Sequence, residues 1–153
     1  MKIKEGGKFA TGKVVTKLFD LQGNLIEKKT QYNVVVTSSK NGFAGILNSE
    51  STFTGNINYG AVGTGADSAV AADTLLQTEL DRVIPTSQSR AGNVTTLLFA
   101  FAPTDANGSL KEFGAFIDGT AAADSGTLFN RVNIDVVKTT LNTLTIELII
   151  TVL

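Results

Sequence analysis

The feature that most constrains this chain is its punctuation. Short runs of β-branched and large apolar residues alternate with clusters of Gly, Asn, Asp, Ser and Thr, at a spacing of roughly 8–12 residues. A helical protein would carry longer stretches with a period of 3.6, and few are present. The runs read as strands over 9–19, 25–36, 57–62, 82–89, 94–102, 110–117, 127–134 and 143–153. About eight strands at that spacing predict a mainly β fold, an antiparallel β-sandwich of jelly-roll-like type with one or two short helices.

The individual runs carry finer expectations. Asp20-Leu21-Gln22-Gly23-Asn24 is a turn between the first two strands, with Gly23 or Asn24 at positive φ. In 57–62, Ile57, Tyr59 and Ala61 should share one face. Pro85 cannot donate to a ladder, so 82–89 should be an edge or bulged strand. In 127–134, Leu128, Val132 and Ile134 should face one way and Phe129 and Arg131 the other. The last run, rich in Leu, Ile and Val, predicts a strand covered on both faces. Two helices are expected. Lys40–Leu47 should be capped from Thr37-Ser38-Ser39 and weakened by Gly42 and Gly45. Thr74–Leu80 should be capped by Asp73, with Leu75, Leu76 and Leu80 toward the core.

A chain of 153 residues suits one domain with a full core and needs no disulfide or metal to hold it. No repeat or linker interrupts it. The expected organisation is an extended amino-terminal arm over residues 1–8 and a single β-sandwich domain over 9–153. Charged residues are only 18% of the chain, below the usual quarter, as for a protein whose surface is partly covered by others. Residues 1–40 hold eight lysines against three acids, a net +5, and the remainder carries −6. Lysines in the arm and first strand (Lys2, Lys4, Lys8, Lys13 and Lys17) suit a strand edge guarded against edge-to-edge pairing, or an arm that docks on an acidic neighbour. The few scattered arginines and the lack of basic–aromatic interleaving give no expectation of nucleic-acid binding. No run is long enough to span a bilayer, and the first residues lack the apolar region of a signal peptide.

Cysteine, histidine and tryptophan are absent. That removes thiolate nucleophiles, Cys-ligated zinc, and Ser-His-Asp or Cys-His catalysis. Four weaker patterns remain. Gly63-Thr64-Gly65 is a fragment of a phosphate cradle, but GxxxxGK[ST] and GxGxxG are both missing, so it reads as a glycine turn. Asp105-Ala106-Asn107-Gly108 spaces oxygen ligands as a calcium loop could use them, but lacks the further ligands, and reads as a hairpin loop. Glu112 is the one strand carboxylate worth weighing as a general acid or base. A glycosidase needs a second, positioned carboxylate, so the reading preferred is that Asp81-Arg82 and Lys111-Glu112 are salt-bridged or solvated. Few exposed aromatics are expected, which counts against a sugar-binding platform. No catalytic, cofactor-binding or metal residue is therefore assigned.

Several segments, in order, carry a resemblance. Tyr59-Gly60-Ala61-Val62-Gly63-Thr64-Gly65, then Ala71-Ala72-Asp73-Thr74-Leu75-Leu76-Gln77-Thr78-Glu79-Leu80-Asp81-Arg82, resemble a pattern in small virion proteins of tailed bacteriophages. Ser89-Arg90-Ala91-Gly92-Asn93, Leu110-Lys111-Glu112-Phe113-Gly114-Ala115-Phe116 and Gly126-Thr127-Leu128-Phe129-Asn130-Arg131 continue it. The opening hairpin ending Tyr32-Asn33-Val34-Val35-Val36 is similar too. The resemblance spans most of the chain and implies a structural protein rather than an enzyme. Members of this kind are labelled as head-decoration, tail or tail-fibre proteins. The resemblance implies a phage structural protein more firmly than a place on the particle. The short chain without a stalk, its low charge, its small-residue loops and its Lys-rich arm favour a capsid decoration (cement) protein, assembled into the virion in the host cytoplasm. It would brace the major capsid protein or another virion protein by non-covalent contacts. A homo-oligomer, a trimer by the symmetry of capsomer junctions, fits that role. The contact surfaces would be the arm and the loops at 48–56, 64–72 and 118–126. A tail-fibre, tail-tip or baseplate module, one that could face a receptor, is the alternative. A carboxylate-dependent polysaccharide hydrolase is the remote one.

Overall fold

The computed structural model of the chain describes residues 8–50 and 52–153. Residues 1–7 of the expected arm lie outside them. The elements in order are β1 (Ala10–Asp20), β2 (Leu25–Tyr32), β3 (Val34–Val35), α1 (Thr37–Leu47), β4 (Ile57–Gly63), β5 (Glu79–Val83), β6 (Ser87–Ala91), β7 (Val94–Phe101), β8 (Gly108–Ile117), β9 (Thr127–Lys138) and β10 (Asn142–Val152). They form two antiparallel five-stranded sheets, β2-β1-β10-β7-β6 and β3-β9-β8-β4-β5. This is the β-sandwich the punctuation predicts.

Eight expected strands become ten because two runs break where the chain changes sheet. In 25–36 the break is Asn33: β2 pairs with β1, while β3 pairs with β9 in the other sheet. In 82–89 it is the Pro85 segment: β5 joins β4, and β6 joins β7 across the sandwich. A proline suits a crossing, since no ladder donor is needed there. The expected β1–β2 turn is present. Asp20 accepts from Gln22 N, Asn24 N and Asn24 Nδ2, and Gly23 takes φ 84°. The Asn24 side-chain amide leads these donors in holding the Asp20 carboxyl below its ordinary value.

The core lies between the sheets. Val14 and Leu18 of β1, Phe99 of β7 and Leu144, Ile146 and Leu148 of β10 meet Phe113 and Ile117 of β8 and Val132 and Ile134 of β9. The Phe99 and Phe113 rings cross from sheet to sheet with centroids 5.6 Å apart. Phe99 also lies on Gly60 of β4, where an added Cβ would stand 2.5 Å from the ring. Glycine is needed here for the room it leaves.

Four local expectations are corrected. A register shift between Ala115 and Phe116 of β8, opposite the start of β9, turns Phe129 into the core with Val132 and Ile134. Leu128 and Arg131 share the outward face. A similar shift after Ile57 sends Ile57 inward while Tyr59 and Ala61 face out. β10 is not covered on both sides: Leu144, Ile146, Leu148 and Ile150 are buried, and Thr143, Thr145, Glu147 and Ile149 between them are half-exposed. Ile149 hides an otherwise plain alternation. No side chain caps α1, whose N-cap is Val36. Ser39, buried in the first turn, donates to Val36 O and Phe129 O and so bolts α1 to β9.

The two outer faces differ. That of the β9-β8-β4 sheet is roofed by the 64–78 connection between β4 and β5. Leu76 of that connection packs with Val36, Ala61, Phe116 and Leu128 in a second apolar cluster. The predicted helix Thr74–Leu80 is absent: the segment runs as turns into β5. The backbone N–H groups of Gln77 and Thr78 go to a buried side chain, Glu112 of β8, instead of to a helical ladder.

Candidate functional site

β8 alternates across its sheet, so Glu112, Gly114 and Phe116 all face outward, under the 64–78 connection. Glu112 is fully buried. Its Oε1 accepts from Gly65 N (3.1 Å) and Thr78 N (2.8 Å). Its Oε2 accepts from Gln77 N (2.9 Å) and Arg131 Nε (2.8 Å). An ionised carboxylate offers about four acceptor positions, and all are filled here.

Those partners explain the glycines. A Cβ at Gly63 would stand 2.3 Å from Thr78 O and 2.5 Å from Glu112 Oε1, and one at Gly65 would stand 2.7 Å from the same oxygen. The Gly63-Thr64-Gly65 turn leaves β4 as expected and gives one N–H, that of Gly65, to the protein's own carboxylate.

Arg131 extends the network from β9. Its Nη1 donates to Asp73 Oδ2 (3.0 Å) and its Nη2 to Asp67 O (2.9 Å). Burial alone would push the guanidinium down. The hydrogen bonds and charges of Asp73 and Glu112 outweigh it and hold Arg131 above the ordinary arginine value. Asp73 therefore caps no helix. It accepts from Val70 N and anchors Arg131. Asn133, next outward on β9, donates to Asp67 O and accepts from Ala69 N, and Gln77 exchanges two bonds with Asp67. A surface depression of about 370 Å³ lies above, and Asp67, Asp73, Gln77 and Arg131 of its lining are already engaged with one another or with neighbours in this network.

A second cluster sits beside the first. Arg82 of β5 makes a bidentate pair with Glu79 (2.6 and 2.8 Å). Its Nη1 donates to Thr120 O, Ser125 O and Ser125 Oγ. Its guanidinium lies 4.6 Å from the Phe116 ring centre. Glu79 and Arg82 lie three apart within β5, and the register shift in the β4–β5 pairing lets them meet. The pair clamps the 118–126 loop, where Asp118, Asp124 and Gly126 hold positive φ.

Two expected pairings are corrected. Lys111 does not meet Glu112. It faces Asp135, at 2.5 Å, and that hydrogen bond leads in holding the Asp135 carboxyl below its ordinary value. Asp81 does not pair with the Arg82 side chain; it accepts from the backbone N–H groups of Arg82 and Ala106. Both differences follow from strand alternation, which puts sequence neighbours on opposite faces.

The Asp105–Gly108 loop also holds a cation, and again the chain supplies it. Buried Lys138 of β9 donates from Nζ to Ala102 O (2.8 Å) and Asn107 Oδ1 (3.0 Å). Desolvation pushes its pKa down, against the charges of Asp105 and Asp81. Between that lowered value and the ordinary 10.5, the folded chain binds fewer protons at this site than the unfolded chain does. Stability contributed by Lys138 therefore rises with pH across that window. Lys138→Met should lose about 1–3 kcal/mol near neutral pH through the orphaned loop acceptors. It should also flatten that alkaline dependence. Urea unfolding of both proteins from neutral to alkaline pH checks each point.

No family model, curated protein or solved structure matches the chain. Among the described residues no group of three or more His, Cys, Asp or Glu is placed to hold a metal, and no helix is long and apolar enough to cross a membrane. The segments at 59–65, 71–82, 110–116 and 126–131, far apart in sequence, converge on one face of one sheet. Gly63 and Gly65 make room, Ala61, Leu76, Phe116 and Leu128 join the second cluster, and Glu112 and Asp73 pair with Arg131 as Glu79 does with Arg82. The arrangement fastens loops. Arg131 as the partner of Glu112, and Asp67, Gln77, Asn133 and Lys138 as members, are not assigned from sequence. The alternation Glu112-x-Gly114-x-Phe116 is legible in the sequence; that it lies beside Arg131-x-Asn133 is not, since that follows from the β8–β9 register.

Proposed function

We propose that this chain is a structural protein of a tailed-phage virion that works as a capsid decoration protein, bracing the capsid lattice through non-covalent contacts. The observation that carries a structural over a chemical role is the saturation of Glu112. The carboxylate weighed for catalysis has each acceptor position filled by the chain itself. Its partners hold the 64–78 connection in one shape.

The loops expected to make contact are fastened in advance. Residues 64–72 are tied to Glu112, Arg131 and Asn133, and Arg82 clamps 118–126. Thr54 bonds to Asp118 through both its backbone N–H and its hydroxyl, and Asn58 exchanges two bonds with Gly119. Fixed loops lose little conformational freedom on docking, which favours a lattice clamp. Large apolar side chains stand exposed: Leu21 and Leu25 at the β1–β2 tip, Leu141 on the β9–β10 turn, and Leu47 at the end of α1. A homotrimer seated at capsomer junctions would cover such residues against neighbours.

The test is reconstitution. Capsids of the encoding phage that lack the protein are mixed with the purified chain and sedimented. Saturable co-sedimentation at a fixed ratio to the major capsid protein, with a raised temperature of capsid disruption, is expected. Failure to sediment with capsids at any concentration contradicts the proposal.

A further inference from the structure

We propose that the groove between the start of β1 and the edge of β3 binds an extended, acidic segment of a partner protein. The groove has a volume of about 430 Å³, and Lys8, Gly12, Tyr32, Asn33, Val35 and Lys40 contribute to its lining. Three independent features point to that ligand.

The first is Asn33. Its Oδ1 and Nδ2 are shielded from bulk water, yet neither has a hydrogen-bond partner among the described residues. Such a group is a standing deficit in a folded chain. The amide rests on Gly12, within 2.5 Å of where a Cβ would be. Asn33 is among the residues lining the groove, so a rotation about its side-chain bonds would present the amide to a ligand there. One donor and one acceptor side by side match the N–H and C=O of a peptide unit.

The second is the backbone beside it. Val34 pairs with Arg131, and Val36 N donates to Phe129 O, so these two residues point at β9. By antiparallel alternation the N–H and C=O of Val35 point the other way, as Asn33 N does in donating to Gly12 O. β3 thus offers a short open edge of the kind an added strand uses.

The third is charge. Lys8 and Lys40 are exposed on the groove, and among the described residues that line it none is acidic. Tyr32, 78% exposed, adds an aromatic wall. Carboxylates along the ligand would meet both ammonium groups, while its apolar residues rest on Val34, Val35 and Ala71. The inference needs only a peptide and stands whether or not the chain decorates a capsid.

The test uses the full chain, ¹⁵N-labelled, and a capped peptide of alternating Asp and Val, with a Lys-Val peptide as control. The Asp-Val peptide should shift the Asn33 side-chain and Val35 backbone resonances and bind at least about tenfold more tightly than the control, as paired charges at an interface would have it. Asn33→Leu should keep the fold and a melting temperature no lower than wild type, and lose about tenfold in affinity. Lys40→Glu should reverse the preference between the peptides. Groove resonances unmoved at millimolar peptide, or Asn33→Leu binding as tightly as wild type, would overturn the proposal.

Discussion

Replacing Arg131 by methionine is expected to destabilise the chain by about 3–5 kcal/mol, the loss typical of a buried ion pair deprived of one partner. Methionine keeps much of the volume and the apolar stem, so the loss isolates the guanidinium. Without it, Glu112 is left as a buried charge held only by three backbone N–H groups, and Asp73 and Asp67 O each lose a donor. At this chain length the change corresponds to a fall in melting temperature of roughly 6–20 °C. The companion experiment is Glu112→Gln in the Arg131→Met background. Removing the stranded charge should return part of the loss, so the double variant falls short of the sum of the singles. Urea unfolding of the four proteins measures the coupling. Strict additivity would mean that the two side chains do not share one network.

Phe99→Ala is expected to have an effect of similar size for a different reason, about 3–5 kcal/mol from lost burial plus the cavity left behind. Phe99 is wholly buried, touches Phe113 across the sandwich and fills the space left open at Gly60. The two sheets bear on each other there, and the flanking strands cannot close over the gap without breaking register. No charge is involved, so the loss should be insensitive to salt and pH, unlike that of Arg131→Met. Thermal unfolding at low and high ionic strength distinguishes them.

These two residues also mark what was legible in the sequence. Phe99 lies in a strand whose apolar run and flanking turns are plain, but Leu97-Leu98-Phe99-Ala100-Phe101 is apolar throughout, and the structure rather than the alternation shows that Phe99 points inward. Arg131 lies in an equally plain strand, yet its partner does not follow, because the register shift opposite the start of β9 changes which residues share its face. The same kind of local shift misplaces Ile57. The 74–80 segment misleads more deeply. Asp73 before Thr-Leu-Leu is a sound local signal for a helix start, but the N–H groups of Gln77 and Thr78 find a buried carboxylate from another strand. A tertiary acceptor thereby outweighs local propensity. Lys138 was illegible for a related reason: loop oxygens that suggest a metal are served by an ammonium reaching in from a distant strand. Asn33 and Pro85 stand within the predicted strand runs 25–36 and 82–89, though nothing local says that the chain changes sheet there.

The proposed role, a lattice-bracing virion component, is tested most directly by copy number. Quantitative mass spectrometry of purified particles of the phage that this proposal requires, with the major capsid protein as internal standard, gives that number. A stoichiometry fixed to the capsid lattice, in the range of the major capsid protein itself, is the predicted result. A handful of copies per particle would place the chain on the tail and contradict decoration, and absence from the particle would contradict the virion role altogether.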